Sequence, residues 1–177
     1  MKRLIMTVVA LMGATTLFAQ TDVVATFQQG LANAKGGNFA DAIAQFEQVI
    51  EASYDIDEPD ANQMKAIAGS KKFLVTCYNK MGLADINAKA YDAAIEHFTD
   101  AANYAELYED IAAMNKNRAL IGQVYQVQGA DAFNSEDYAT AIAVFSKGYE
   151  ADPRNTDMAL NLAESYFRSN MYQDGMR

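Results

Sequence analysis

One short pattern recurs along the chain, and it constrains the fold more than any other feature of the sequence. An aromatic residue is followed three positions later by alanine, then by isoleucine, and three positions further on by phenylalanine. The copies are "FADAIAQF" from Phe39, "YDAAIEHF" from Tyr91 and "YATAIAVF" from Tyr138. Because residues three and four apart share a face of an α-helix, each copy predicts a helix with one apolar face.

The residues around each copy predict a second helix paired with it. Before the first copy, Gly36-Gly37 ends a helical segment, and Asn38 stands where a residue caps the next helix. After the third copy, Pro153 predicts that the helix stops near Ala151-Asp152, and Thr156 is placed to cap another. The sequence therefore predicts an all-α protein built of consecutive helical hairpins.

A shortened fourth copy begins at Tyr172 with Gly175. The octet and the interval from Tyr138 to Tyr172 resemble the tetratricopeptide repeat family, in which the second helix of each unit carries the octet and the period is about 34 residues. The resemblance covers about Val23 to Arg177 and implies an all-α, right-handed superhelix of antiparallel helix pairs with about 3.5 repeats. The expected repeats span about 23–56, 60–108, 109–154 and 156–177, the last of them truncated.

Two repeats are longer than the family period, and the additional residues precede the second and third octets. The segment before Tyr91 has apolar residues at helical spacing, among them Ile67 and Leu74. We expect two lengthened first helices, the earlier one from about Asp60 to Lys89. Gly69 and Gly82 leave a separate additional helix open as an alternative.

Residues 1–19 have the features of a secretory signal peptide, with a charged start at Lys2 and Arg3 and then an apolar run to Phe18. The run is shorter than the roughly 18 residues of a transmembrane helix, so we expect no transmembrane anchor. Cleavage is expected before Gln20, which leaves 20–177 as one repeat domain.

The cleavage region "FAQ" resembles exported proteins of Bacteroidetes-type bacteria. That resemblance implies a periplasmic or outer-membrane-associated protein. Without Lys2 and Arg3, the mature chain has 12 basic and 23 acidic side chains, a net charge of about −11. Since this charge repels phosphate backbones and no basic stripe is evident, we expect no nucleic-acid partner.

No catalytic, cofactor or metal constellation is evident in the sequence. His97 is the only histidine, and beside Phe98 it is expected at the surface or between repeats. Cys77 is the only cysteine and is expected to be a buried thiol in an apolar setting. The acidic segment "YDIDEPD" from Tyr54 lacks the glycine and the final glutamate of a calcium loop, so a solvated linker is expected.

In the resembled family, the first helices line a concave groove that holds an extended peptide or a partner helix. The octet register carries this face onto Phe27, Leu31, Lys35, Asn79, Leu83, Asn87, Gln126, Ala130, Asn134, Leu160, Glu164 and Arg168, and Gln123 adds a further amide. The amides suit hydrogen bonds to a peptide backbone, while ordinary polar surface remains the alternative. The lysine and asparagine clamp of chaperone-binding members is missing, because Phe27, Leu31 and Asn79 occupy its places.

These features favour a non-catalytic scaffold that binds a peptide or partner protein in the cell envelope. The alternative is the repeat portion of a larger enzyme, or of a secretion or outer-membrane assembly subunit, whose carboxyl-terminal part is missing after Arg177. Self-association through the uncapped edge near Tyr172 is a further expectation. Tyr104, Leu107 and Tyr108 lie outside the repeat pattern and fit either an exposed patch or the packing of the lengthened helices.

Overall fold

The computed structural model describes residues 22–169, which form seven α-helices and no strand. A single turn of 3-10 helix at Ser53–Asp55 follows the second helix. The signal-peptide prediction and the partial copy at Tyr172 lie outside the described residues. The helices are α1 (Val23–Gly36), α2 (Phe39–Ala52), α3 (Ala61–Asn87), α4 (Tyr91–Leu107), α5 (Ile111–Asn134), α6 (Tyr138–Ala151) and α7 (Thr156–Arg168).

The helices stack in the order of the chain. Each helix packs against the next, and α1 also contacts α3, α3 contacts α5, and α5 contacts α7. The hairpins α1–α2, α3–α4 and α5–α6 therefore form three repeats, and α7 opens a fourth. This arrangement confirms the predicted all-α solenoid, because each hairpin buries its apolar face against its neighbour.

Two first helices are lengthened, as predicted. α3 has 27 residues and α5 has 24, whereas α1 has 14. At 1.5 Å per residue α3 is about 40 Å long. Asp60 caps its amino-terminal end, and the Asp60 carboxylate accepts hydrogen bonds from the backbone N–H groups of Asn62 and Gln63. α3 runs unbroken through Gly69 and Gly82, so the alternative of a separate additional helix is wrong.

Short turns join the helices, and most contain one residue in the left-handed region. Gly37 ends α1 with φ 83°, and Lys89, Glu109 and Glu136 have φ values of 58°, 61° and 61° in the next three tight turns. The predicted stop of α6 at Ala151 is confirmed. The predicted cap of α7 is wrong by one position, as Asn155 accepts the hydrogen bond from the Met158 N–H at 3.0 Å.

Each octet ends in a phenylalanine that lies over a glycine of the preceding helix. The three rings are 0–1% exposed, and the interval from glycine to phenylalanine is the same in every hairpin. A Cβ atom on the glycine would lie 2.8 Å or less from the ring, closer than real contacts allow. Only glycine therefore permits this approach of the two helices of a hairpin. The pairs are Gly30–Phe46, Gly82–Phe98 and Gly129–Phe145.

The octet alanines occupy the other tight positions of the core. Ala42, Ala94 and Ala141 are each 0% exposed, and their small side chains let the helices approach closely. Gly69 plays a comparable part between repeats, because a Cβ there would lie 2.5 Å from the Phe27 ring. The two α3 glycines that left a separate additional helix open are thus contact points for aromatic rings.

We expect Gly129→Ala to lower the free energy of unfolding by about 1–3 kcal/mol, since its methyl group would collide with the Phe145 ring. Gly122→Ala in the same helix is the matched control, because a Cβ there meets nothing within 4 Å. The control substitution is expected to raise the free energy of unfolding by up to about 1 kcal/mol, because alanine has a higher helix propensity than glycine. Urea denaturation followed by circular dichroism measures both, and equal effects of the two substitutions would contradict the glycine–phenylalanine contact.

Candidate functional site

All thirteen residues of the predicted binding face lie on the first helices. Phe27, Leu31 and Lys35 are on α1, and the remaining ten are divided among α3, α5 and α7. Phe27 and Leu31 are half-buried against the first core cluster, and the Phe27 ring is centred 5.9 Å from that of Phe46. In the first repeat Lys35 is thus the predicted residue with an exposed side chain.

The later repeats present more of the predicted face to solvent. Leu83 is 43% exposed and Leu160 is 68% exposed. Val127, at 41% exposed, was not predicted, although it directly follows Gln126 on α5 and lies one turn from Gln123. On α7 the Arg168 guanidinium and the Glu164 carboxylate, both predicted members of the face, pair with each other at 2.7 Å.

A groove with a volume of about 570 Å³ lies between α3 and α5. We call it the α3–α5 groove. Asn79 and Leu83 are the predicted residues that line it, and the carboxyl-terminal end of α4 closes its base. Its lining residues are Ala68, Lys71, Lys72, Val75, Thr76, Asn79, Lys80, Leu83, Ala105, Tyr108, Asp110, Ala113, Lys116 and Asn117.

Two asparagine side chains in the groove are held by their own helices. The Asn79 Nδ2 donates to the Val75 carbonyl at 2.9 Å, and the Asn117 Nδ2 donates to the Ala113 carbonyl at 2.8 Å. Asn117 is 0% exposed, and its Oδ1 has no hydrogen-bond partner. A buried carbonyl oxygen without a donor is rare in folded proteins, and here it belongs to a residue that lines a groove.

A tyrosine stack lies beside the groove. The rings of Tyr78 and Tyr104 are centred 5.6 Å apart and those of Tyr104 and Tyr108 6.0 Å apart, and the Lys71 ammonium lies 5.2 Å from the centre of the Tyr108 ring. The Tyr104 hydroxyl donates to the Glu47 carboxylate of α2 at 2.5 Å. These tyrosines therefore join neighbouring repeats, which favours the packing interpretation over an exposed patch.

Burial changes the acid–base properties of these rings. It is the main cause that raises the pKa of Tyr78 and of Tyr108 to about 12, and it also raises the pKa of Tyr104, with help from the Glu47 carboxylate. Leu107, the third residue of the predicted patch, is 53% exposed.

A polar junction connects the second repeat to the third at the other end of α5. The Asp131 carboxylate accepts hydrogen bonds from the Lys89 ammonium at 2.7 Å and the Tyr91 hydroxyl at 2.5 Å. These bonds, that of Lys89 first, lower the pKa of Asp131. Gln128 and Asn134 line the same shallow cavity, so Asn134 lies apart from the α3–α5 groove.

The reactive residue types serve packing in the described part of the chain. His97 Nδ1 and Asp85 Oδ2 are 2.6 Å apart, which places the histidine between α3 and α4 of one repeat and not between repeats. Cys77 is buried as predicted, and burial raises the pKa of its thiol to about 11. Among residues 22–169 there is no group of three or more His, Cys, Asp or Glu side chains that could hold a metal ion.

A comparison with known families matches a segment that begins in the carboxyl-terminal part of α5 and includes α6 and α7. Residues 127–175 match the tetratricopeptide repeat family model. Tetratricopeptide repeats generally mediate protein–protein interactions, and proteins built from them are typically non-enzymatic scaffolds. The curated proteins include no significant match to the chain.

The tyrosine stack of this helical solenoid predicts loss of stability in alkali. Tyrosines of the unfolded chain ionise near pH 10.0, whereas Tyr78 and Tyr108 of the folded chain ionise near pH 12. Between these values the unfolded chain binds fewer protons, so the free energy of unfolding falls as the pH rises through this window. Below about pH 10 the contribution is fully present.

We expect Tyr104→Phe to make the melting temperature less sensitive to pH between about pH 9 and 12, because one group with a raised pKa is removed. Near neutral pH the variant should be less stable by about 1 kcal/mol, since the hydrogen bond to Glu47 is lost. Tyr149→Phe, at an exposed position of α6, is the control. Thermal melts at a series of pH values test this, and identical pH profiles of both variants would refute it.

Proposed function

We propose that the chain is a non-catalytic scaffold of the cell envelope that binds a peptide segment of a partner protein along its first helices. The observation that carries this proposal is where exposed apolar side chains lie. Between residues 22 and 169, seven of the ten exposed large hydrophobic residues are on α3, α5 and α7. They are Met64, Phe73, Leu83, Ile111, Val127, Leu160 and Phe167.

Polar groups suited to a peptide backbone accompany these apolar residues. The side-chain amides of Asn87, Gln123 and Asn134 are exposed, that of Gln126 is half-buried, and none of them forms a hydrogen bond within residues 22–169. Amides both donate and accept, so they pair with a peptide main chain of any sequence. Exposed apolar residues and unpaired amides on the same helices, α3 and α5, suit an extended segment better than a small molecule.

The envelope location is supported by the amino-terminal sequence. Residues 1–19 combine a charged start, an apolar run and a small residue before the expected cleavage site, as secretory signals do. Within the described range, no helix has the length and apolar character that crossing a membrane requires. A periplasmic or outer-membrane-associated setting follows as part of the proposal.

Site-specific photocrosslinking in cells that express the protein natively tests both parts. A photoreactive amino acid is placed at Leu83, Val127 or Leu160 of the full chain, and at the exposed positions Glu96 and Tyr149 on second helices as controls. We expect one protein to be crosslinked from all three first-helix positions and not from the controls. Cell fractionation should place the crosslinked product in the envelope.

The outcomes separate the two parts of the proposal. Adducts from Glu96 and Tyr149 alone would overturn the assignment of the binding face to the first helices. Absence of adducts at every position would overturn the scaffold function. A crosslinked product confined to the cytoplasm would overturn the envelope location.

A further inference from the structure

The α3–α5 groove is built by the feature that distinguishes this chain from a regular repeat. α3 has 27 residues and α5 has 24, against 14 in α1, and both are extended at their amino-terminal ends. Counted from its carboxyl-terminal end, the regular part of α3 begins at Leu74 and that of α5 at Ile121. Lys71, Lys72 and Lys116 therefore lie on the added turns, which regular repeats lack.

The charge of the groove is opposite to that of the protein. Between residues 22 and 169 there are 11 lysine and arginine side chains and 22 aspartate and glutamate side chains. Four of the 11 cations line the groove, whereas Asp110 is the one acidic residue among its lining residues. The clustered cations attract negative ligands to the groove, while the acidic remainder of the surface repels them.

These lysines are not neutralised by the protein itself. Five ion pairs occur among the described residues, and none of them includes Lys71, Lys72, Lys80 or Lys116. Lys72, Lys80 and Lys116 are exposed, while Lys71 is held over the Tyr108 ring. Four lysines thus line one partly apolar groove, and none of them forms an ion pair with the described residues.

The rest of the lining indicates a peptide as the negative ligand. Leu83, which is 43% exposed, and the half-buried Ala113 supply apolar surface, which suits side chains and offers nothing to a phosphate. Asn117 is fully buried behind this lining, so its Oδ1 is not a contact for the ligand. A phosphate or carboxylate group alone would leave this apolar surface uncovered.

We propose that the α3–α5 groove binds an acidic peptide segment of the partner protein, its carboxylates beside Lys72, Lys80 and Lys116 and its apolar side chains against Leu83. This inference rests on the proposed scaffold function and names the chemistry of the segment that the scaffold takes. The overall negative charge of the protein makes the groove selective for a short anionic segment, because longer anions extend over repelling surface.

The test uses the purified chain from Gln20 onward and a fluorescein-labelled peptide in which aspartates and glutamates surround one phenylalanine and one leucine. Fluorescence anisotropy measures its binding beside a counterpart with asparagine and glutamine in place of each acid. We expect the acidic peptide to bind at least about tenfold more tightly than the amide peptide. Its affinity should fall as the salt concentration rises from about 50 to about 500 mM.

Matched charge variants locate the binding. The double substitution Lys72→Gln with Lys116→Gln is expected to lower the affinity for the acidic peptide at least about tenfold. Lys65→Gln with Lys147→Gln changes two exposed lysines outside the groove, and affinity should stay within about twofold. Equal losses in both double variants, or equal binding of the acidic and amide peptides, would overturn the inference.

Two further outcomes separate this inference from the proposed function. If photocrosslinking from Leu83 captures a partner but the acidic peptide does not bind, the acidic-segment inference is wrong and the scaffold function stands. If vesicles containing phosphatidylglycerol bind through Lys72 and Lys116 more tightly than the peptide does, the groove recognises a lipid surface and the inference is overturned. If the acidic peptide binds but photocrosslinking in cells yields no adduct, the scaffold function is overturned and the preference of the groove for acidic peptides stands.

Discussion

The close approach of a phenylalanine ring to a glycine backbone is the contact on which the rest of the solenoid depends. In each hairpin the ring lies where a Cβ atom would otherwise stand, so the two helix axes come close enough to bury the octet alanines between them. The same contact sets the rotation of each first helix about its axis, because only the side that carries the glycine can face the ring. This rotation determines which residues of the first helix are exposed. Leu83, for example, directly follows Gly82 and is exposed.

Lengthening the first helices changes the surface without changing this contact. α3 and α5 add turns at their amino-terminal ends, and Gly82–Phe98 and Gly129–Phe145 form in the regular parts of the same helices. The added turns pack through alanines and the tyrosine stack, and the Tyr104 hydroxyl reaches back to Glu47 of the previous repeat. A repeat fold can thus gain a new groove while its core contacts continue, since each repeat contacts only its neighbours.

Most of the fold follows from local patterns, and most of the groove does not. Octet spacing predicted the hairpins and the burial of Phe46, Phe98 and Phe145, because helical periodicity is a short-range signal. The low helix propensity of glycine left a break in α3 and a separate additional helix open, although the constant interval from each hairpin glycine to its phenylalanine was present in the sequence. The groove lysines come from α3 and α5 and meet only through the stacking of both helices on α4, which no local pattern encodes.

The two walls of the α3–α5 groove are held in place mainly by α4, and this determines how the width of the groove can change. α3 and α5 touch each other little, whereas α4 packs extensively against both. Ala101 and Ala105 of α4, both fully buried, pack with Val75 of α3 and Met114 of α5. The separation of the groove walls is therefore set by small side chains on a different helix. Replacing an alanine there by a larger residue would widen the groove without altering any of its lysines. The width of the groove and its charge are therefore determined by different parts of the sequence.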